Sequence, residues 1–140
     1  MNKKNLCIIW DWNGTLVNDA CVFINIMNKY LSERSLPLIS LKDYKNHFCF
    51  PVVNYYQHLG FNLNETSFRE LSFDFINEYK KVMFDSPLVE GVKPLISSLN
   101  KRGFIQFLVS AQENSLLKLS VEYYGLNKNF SGVFGLNNNH

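Results

Sequence analysis

The run Leu6-Cys7-Ile8-Ile9-Trp10 ends abruptly at Asp11, and Trp12-Asn13-Gly14-Thr15-Leu16 follows. A continuous apolar stretch without alternation predicts a strand buried on both faces of a parallel sheet. The carboxylate then falls at the carboxyl end of that strand, which is the edge of an open α/β sheet where ligands bind. An aspartate so placed can attack phosphorus, splitting hydrolysis into formation and breakdown of an aspartyl phosphate, provided a cation offsets the repulsion between carboxylate and phosphate. Asp11 is the only residue positioned for that work. Asn13-Gly14 between apolar residues is also a hairpin signal, which stands as the alternative for this segment alone.

A second segment has the same grammar. Phe107-Leu108-Val109-Ser110-Ala111 reads as another buried strand, terminating in a small hydroxyl residue and preceded by a helix and Gly103. The Ser110 hydroxyl, with backbone N–H groups around Ala111 and Trp12, can hold phosphoryl oxygens and steady transition-state charge. Two strand ends that match in this way weigh against the hairpin.

The elements that must position these residues follow from periodicity and punctuation. Asn18 or Asp19 can cap a helix whose apolar face is Phe23, Ile26, Met27, Tyr30 and Leu31. Pro37 interrupts it, Ser40 can cap a short helix through Phe48, and Pro51 can open another that Gly60 ends. The longest periodic stretch, Phe68, Leu71, Phe75, Ile76, Tyr79, Val82 and Met83, predicts a helix from near Ser67 almost to Asp85. Beyond Pro87 come helix Val92–Lys101, stopped by Gly103, strand Phe104–Val109, a helix from about Glu113 to Tyr124, and a short strand at Val133-Phe134. Strands joined by helical crossovers imply a parallel α/β sheet, while the helices between Asn18 and Asp85 have no strand to alternate with and read as an insertion.

At this point the chain resembles the haloacid dehalogenase superfamily, whose first motif is an apolar strand followed by Asp-x-Asp-Gly-Thr-Leu/Val. Asp11, Gly14, Thr15 and Leu16 match it, Ser110 matches the phosphate-binding residue of the second motif, and Leu88-Val89-Glu90-Gly91-Val92 resembles the segment that re-enters the core after a helical cap. The stretch from Phe48 through Tyr55-Tyr56 to Phe61 is similar to phosphoglycolate-phosphatase-like members. The resemblance implies a Rossmann-like core over residues 1–17 and 87–140 and a helical cap over residues 18–86. It further implies that Asp11 attacks phosphorus, that Asp11 and the backbone carbonyl of residue 13 ligate magnesium, and that Ser110, Ala111, Trp12, Gly14 and Thr15 surround the phosphate of a small metabolite. In the family, residue 13 is also the general acid/base. Here it is Asn13, and an amide neither protonates a leaving alkoxide nor deprotonates water, work worth roughly 10²–10⁴-fold in rate. Slow turnover is expected.

The superfamily's third motif, a lysine, and its fourth, one or two acids, have no counterpart. Lys118 and Lys128 come too early in the order of elements, and no acid follows Glu122. The strands that flank the first strand on its other side are missing with them, which predicts an incomplete sheet, a truncated product or half of a split protein, and an open edge that a second copy or a complementing chain would cover. The alternative function is an inactive remnant that binds phosphate or a partner. A receiver-like signalling domain shares the parallel sheet but would not carry a long helical insertion directly after the aspartate.

Composition sets the outer bounds. A chain of 140 residues that is 46% hydrophobic supports one packed domain with a small insertion. Fourteen basic and twelve acidic side chains, a net charge of +2, are spread without a basic stripe, so nucleic acid is a poor partner. Lys3-Lys4 precedes an apolar run too short for a signal peptide, and no run approaches membrane-spanning length, which reads as cytoplasmic. Cys7, Cys21 and Cys49 form no CxxC pair and are expected to be reduced core thiols. His47, His58 and His140 are scattered, and Asn137–Asn139 reads as a frayed polar end.

Overall fold

The computed structural model describes residues 6–137; the Lys3-Lys4 pair, His140 and the Asn138-Asn139 part of the polar end lie outside them. Strand β1 (Cys7–Trp10) leads to helices α1 (Ala20–Glu33), α2 (Leu41–His47), α3 (Val52–His58), α4 (Glu65–Val82) and α5 (Val92–Lys101). Strand β2 (Ile105–Glu113), helix α6 (Asn114–Tyr123), a 3-10 turn over Asn127–Asn129 and strand β3 (Gly132–Leu136) complete the order. The chain divides into two compact units, Met1–Asp19 with Phe84–His140, and Ala20–Met83.

In the first unit the three strands lie in the order β1-β2-β3, all parallel. Right-handed crossovers that step the same way across a sheet put both helices on one face. The packing agrees: Val92 and Ile96 of α5 and Leu117 and Val121 of α6 share a single cluster with Leu108 of β2, and Trp10 and Val133 pack against it. Among the described residues of this unit no helix packs on the opposite face. Ile9 is 66% exposed there, and Ile105, Val109 and Phe134 are exposed too. The expectation of strands buried on both faces is therefore wrong for β1 and β2, because two like-handed steps cannot cover both sides. β2 also runs past Ser110 to Glu113, with its pairing to β3 irregular between Val109 and Glu113, so Ser110 sits at a break in the ladder rather than at the strand's end. Glu113 caps α6 instead of opening it, accepting from the N–H groups of Ser115 and Leu116.

Among the described residues the interior of this sheet has one polar crossing point. Gln106, 1% exposed, accepts from Trp10 Nε1 at 2.8 Å and donates to the Ile96 carbonyl at 3.0 Å and Asn100 Oδ1 at 2.6 Å. It ties β1, β2 and α5 together through groups that would otherwise be unpaired away from water.

The second unit is helical. Ile26, Met27, Tyr30 and Leu31 of α1 bury against Tyr55, Tyr56, Phe61 and Leu71. Ser40 and Asp43 form a reciprocal capping box at the start of α2, and Asn64 and Ser67 another at α4. Ser67 is thus the third residue of α4, which begins at Glu65, two residues before the periodicity suggests. Ile76 leaves the predicted apolar face and is exposed. Burial pushes the Tyr55 phenol up to about 12, with smaller contributions from Asp43 and Cys49. The three cysteines are exposed, not core: Cys7 begins β1, Cys21 is the second residue of α1 and Cys49 lies between α2 and α3. No described helix is long and apolar enough to cross a membrane.

Candidate active site

Directly after β1 the chain turns on itself. The Trp12 carbonyl accepts from the N–H groups of Thr15, Leu16 and Val17 at 3.1, 2.9 and 3.1 Å, and Gly14 N donates to Val17 O at 2.9 Å. The turn requires a left-handed residue, and Gly14 supplies it with φ +71°. Trp12, Leu16 and Val17 point into the core, with the Trp12 ring 5.8 Å from Tyr124, while Asp11, Asn13, Gly14 and Thr15 are exposed. The segment around Pro87 clamps the turn: Asn18 N donates to Pro87 O and Val89 N to Leu16 O, both at 2.9 Å. The Asn13-Gly14 hairpin is excluded, since β1 pairs in parallel with β2 and the residues after Gly14 do not return along it.

The alternation of apolar anchors and polar groups carries a compact network. Thr15 Oγ1 donates to Asp11 Oδ2 at 2.9 Å. Asn13 Nδ2 donates to Asp19 Oδ2 at 2.6 Å and to Gln112 Oε1 at 3.1 Å, and Asn13 Oδ1 accepts from Ser110 Oγ at 3.3 Å. Ser110 Oγ also accepts from Gln112 N at 3.1 Å. The first and second segments picked out by sequence thus meet through Asn13 and Ser110. Ala111 is exposed beside them, on the opposite side of β2 from the 8%-exposed Ser110. Trp12 contributes its backbone to the turn and its indole to the core.

Two residues of this network carry no expected site role. Asp19 was a candidate helix cap, yet its carboxylate accepts from Asn13 Nδ2 and, at 3.0 Å, from Gly14 N. Gln112 lies two residues after Ser110, on the same side of the strand by its period of two, and that spacing was the available signal. Its Nε2 is buried without a hydrogen-bond partner among the described residues. Close by, Tyr124 donates to the Ser86 carbonyl, and burial, helped by Tyr123, Asp19 and Asp85, raises its phenol above the ordinary value.

As donors to a hard cation the site offers the exposed Asp11 carboxylate and backbone oxygen; no group of three His, Cys, Asp or Glu side chains gathers among the described residues. Magnesium keeps several waters and takes one or two carboxylates together with substrate phosphate, which this donor set fits.

A family model described as haloacid dehalogenase-like hydrolase matches residues 8–140. A comparison with curated proteins finds no match. Among solved structures, a predicted phosphoglycolate phosphatase from Haemophilus somnus is 22% identical with a TM-score of 0.76, over 96% of this chain and 64% of that one. A predicted phosphatase from Clostridium acetobutylicum is 20% identical with a TM-score of 0.78, over 93% and 60%. Protein Tyrosine Kinase A of Mycobacterium tuberculosis is 18% identical with a TM-score of 0.80, over 100% and 63%. The chain therefore spans about three fifths of the length of these structures. At such identities what is shared is the fold.

Proposed function

The chain belongs to the haloacid dehalogenase-like hydrolase family, and on that premise we propose that it is a magnesium-dependent phosphohydrolase of small phosphorylated metabolites, similar to phosphoglycolate phosphatases, with Asp11 as nucleophile. The observation that carries the reading is the meeting of the two motifs: Asn13 and Ser110, 97 residues apart in sequence, are hydrogen-bonded beside Asp11. An Asp11 carboxylate oxygen forms the new bond to phosphorus as the bond to the leaving oxygen breaks and its electron pair departs with that oxygen. Water then cleaves the aspartyl phosphate and returns the carboxylate. Thr15 holds Asp11 Oδ2, which leaves the other oxygen of this exposed carboxylate for the attack. Ser110 and the backbone at Trp12, Gly14, Thr15 and Ala111 surround the phosphoryl oxygens. Asp11 and the Asn13 carbonyl would hold magnesium, which offsets the charge of carboxylate and phosphate.

Asn13 limits this chemistry. It cannot give a proton to an alkoxide, so substrates whose leaving oxygen departs as a stable anion are favoured. In the geometry described, the single Ser110 hydroxyl hydrogen is directed to Asn13, and phosphate must displace that bond. The same contact favours a second reading, a weakly active or inactive member that binds phosphate or a protein partner. Among the described residues the apolar face left without a helix and the unpaired edge of β1 fit association with a second copy or a complementing chain, and three exposed free thiols fit a reducing, cytoplasmic setting.

The discriminating experiment is turnover of p-nitrophenyl phosphate and of an alkyl phosphomonoester, with and without magnesium, by the protein and by Asp11→Asn. The expected result is magnesium-dependent release of nitrophenol, alkyl ester turnover slower by about 10² or more, and loss of both in the variant. Equal activity in the two proteins refutes the role of Asp11.

A further inference from the structure

Asp19 is 6% exposed and is the last residue of the first unit. A carboxylate only accepts hydrogen bonds, so its contact at 2.6 Å decides which end of the Asn13 amide is which. With Nδ2 turned to Asp19, Oδ1 must face the Ser110 hydroxyl. Gln112 must likewise present Oε1 to Asn13 Nδ2, which leaves Gln112 Nε2 as the buried donor without a partner. The second carboxylate oxygen of Asp19 takes the N–H of Gly14, the residue whose left-handed backbone makes the turn. A single side chain thus gives the Gly14 N–H a second acceptor beside Val17 O and sets the polarity of two amides.

We infer that Asp19 is a positioning residue for the candidate active site, and that positions 13 and 19 form one reciprocal pair in which an amide donor at 13 is required by an acceptor-only carboxylate at 19. The pairing stands on the hydrogen bonds alone; only its consequence for turnover rests on the proposed function. Exchanging the two residue types preserves the pair in mirror form. In Asn13→Asp/Asp19→Asn, the new amide at 19 donates to the carboxylate at 13 and still accepts from Gly14 N. Ser110 still donates to position 13, and Gln112 can rotate so that its orphaned Nε2 donates there too. The exchange also puts a carboxylate beside Asp11.

The experiment is a double-mutant cycle on the full chain with Asn13→Asp, Asp19→Asn and the exchange, read by melting midpoint and by hydrogen exchange of the Gly14 amide. Each single variant is expected to lower the midpoint, Asn13→Asp by about 3–6 °C, and to speed Gly14 exchange, whereas the exchange variant recovers most of both. An exchange variant no more stable than the worse single variant, or single variants that melt like wild type, overturns the pairing. Alkyl phosphomonoester turnover is measured on the same proteins. A stable exchange variant that gains about 10²-fold supports the whole scheme; a stable exchange variant that gains nothing refutes the hydrolase reading while upholding the pair.

Discussion

Replacing Gln106 by leucine removes the polar crossing point of the sheet with little change of volume, so the cost is that of hydrogen bonds rather than of a cavity. The side chain makes three: from Trp10 Nε1, and to the Ile96 carbonyl and Asn100 Oδ1. At about 1 kcal/mol net for each, with an added penalty for partners that remain buried and unpaired, Gln106→Leu should cost about 2–4 kcal/mol. Gln106→Glu keeps an acceptor for Trp10 but loses both donors and buries a charge, so it should be at least as harmful at neutral pH. Urea unfolding followed by tryptophan fluorescence measures this well, because the two tryptophans of the chain, Trp10 and Trp12, both lie in the unit that holds Gln106. A Gln106→Leu variant within about 0.5 kcal/mol of wild type would refute the reasoning, since surface substitutions do no more than that.

Two further outcomes follow from other contacts. A Cβ on Gly135 would stand 2.5 Å from the Gln112 carbonyl oxygen and 2.7 Å from Asn114 Cα, both backbone, so Gly135→Ala should destabilise by about 1–3 kcal/mol in the same unfolding assay. The Ser40 hydroxyl and N–H hold the Asp43 carboxyl below its usual range. A depressed folded value means stability that is present above the unfolded pKa and lost as pH falls through the folded one. The melting difference between wild type and Asp43→Asn should therefore be present at neutral pH and close as the solution is acidified below the ordinary aspartate range.

What was legible in the sequence was mostly local. Asp11 and Ser110 were readable because each terminates or interrupts an apolar run, and the end of α5 could be placed because Gly103 stops a helical period. Ser67 misled because a capping box puts its two partners three residues apart, and either can look like the start. The uncovered face of β1 was illegible in Ile8-Ile9-Trp10 itself: whether Ile9 is buried depends on the direction in which later crossovers step. Gln112 was missed as a site residue because its partner Asn13 is on another segment, and Asp19 because its role depends on how the turn after β1 folds back. A carboxylate before a helix has an ordinary local use as a cap, and only the fold turns it back toward Asn13.

The hydrogen bond between Ser110 and Asn13 closes a chain of 97 residues, and this bears on how the protein is made. During synthesis β1 emerges first and has no strand to pair with until β2 follows. The helices of residues 20–83 are contiguous, rich in local contacts, and able to pack as they appear. Once they have done so, the flexible length left to close between β1 and β2 shrinks, and with it the entropy of bringing Asp11 to Ser110. On this reasoning the inserted helices serve as a splint for assembly of the sheet, and substitutions that loosen them should slow the maturation of the site.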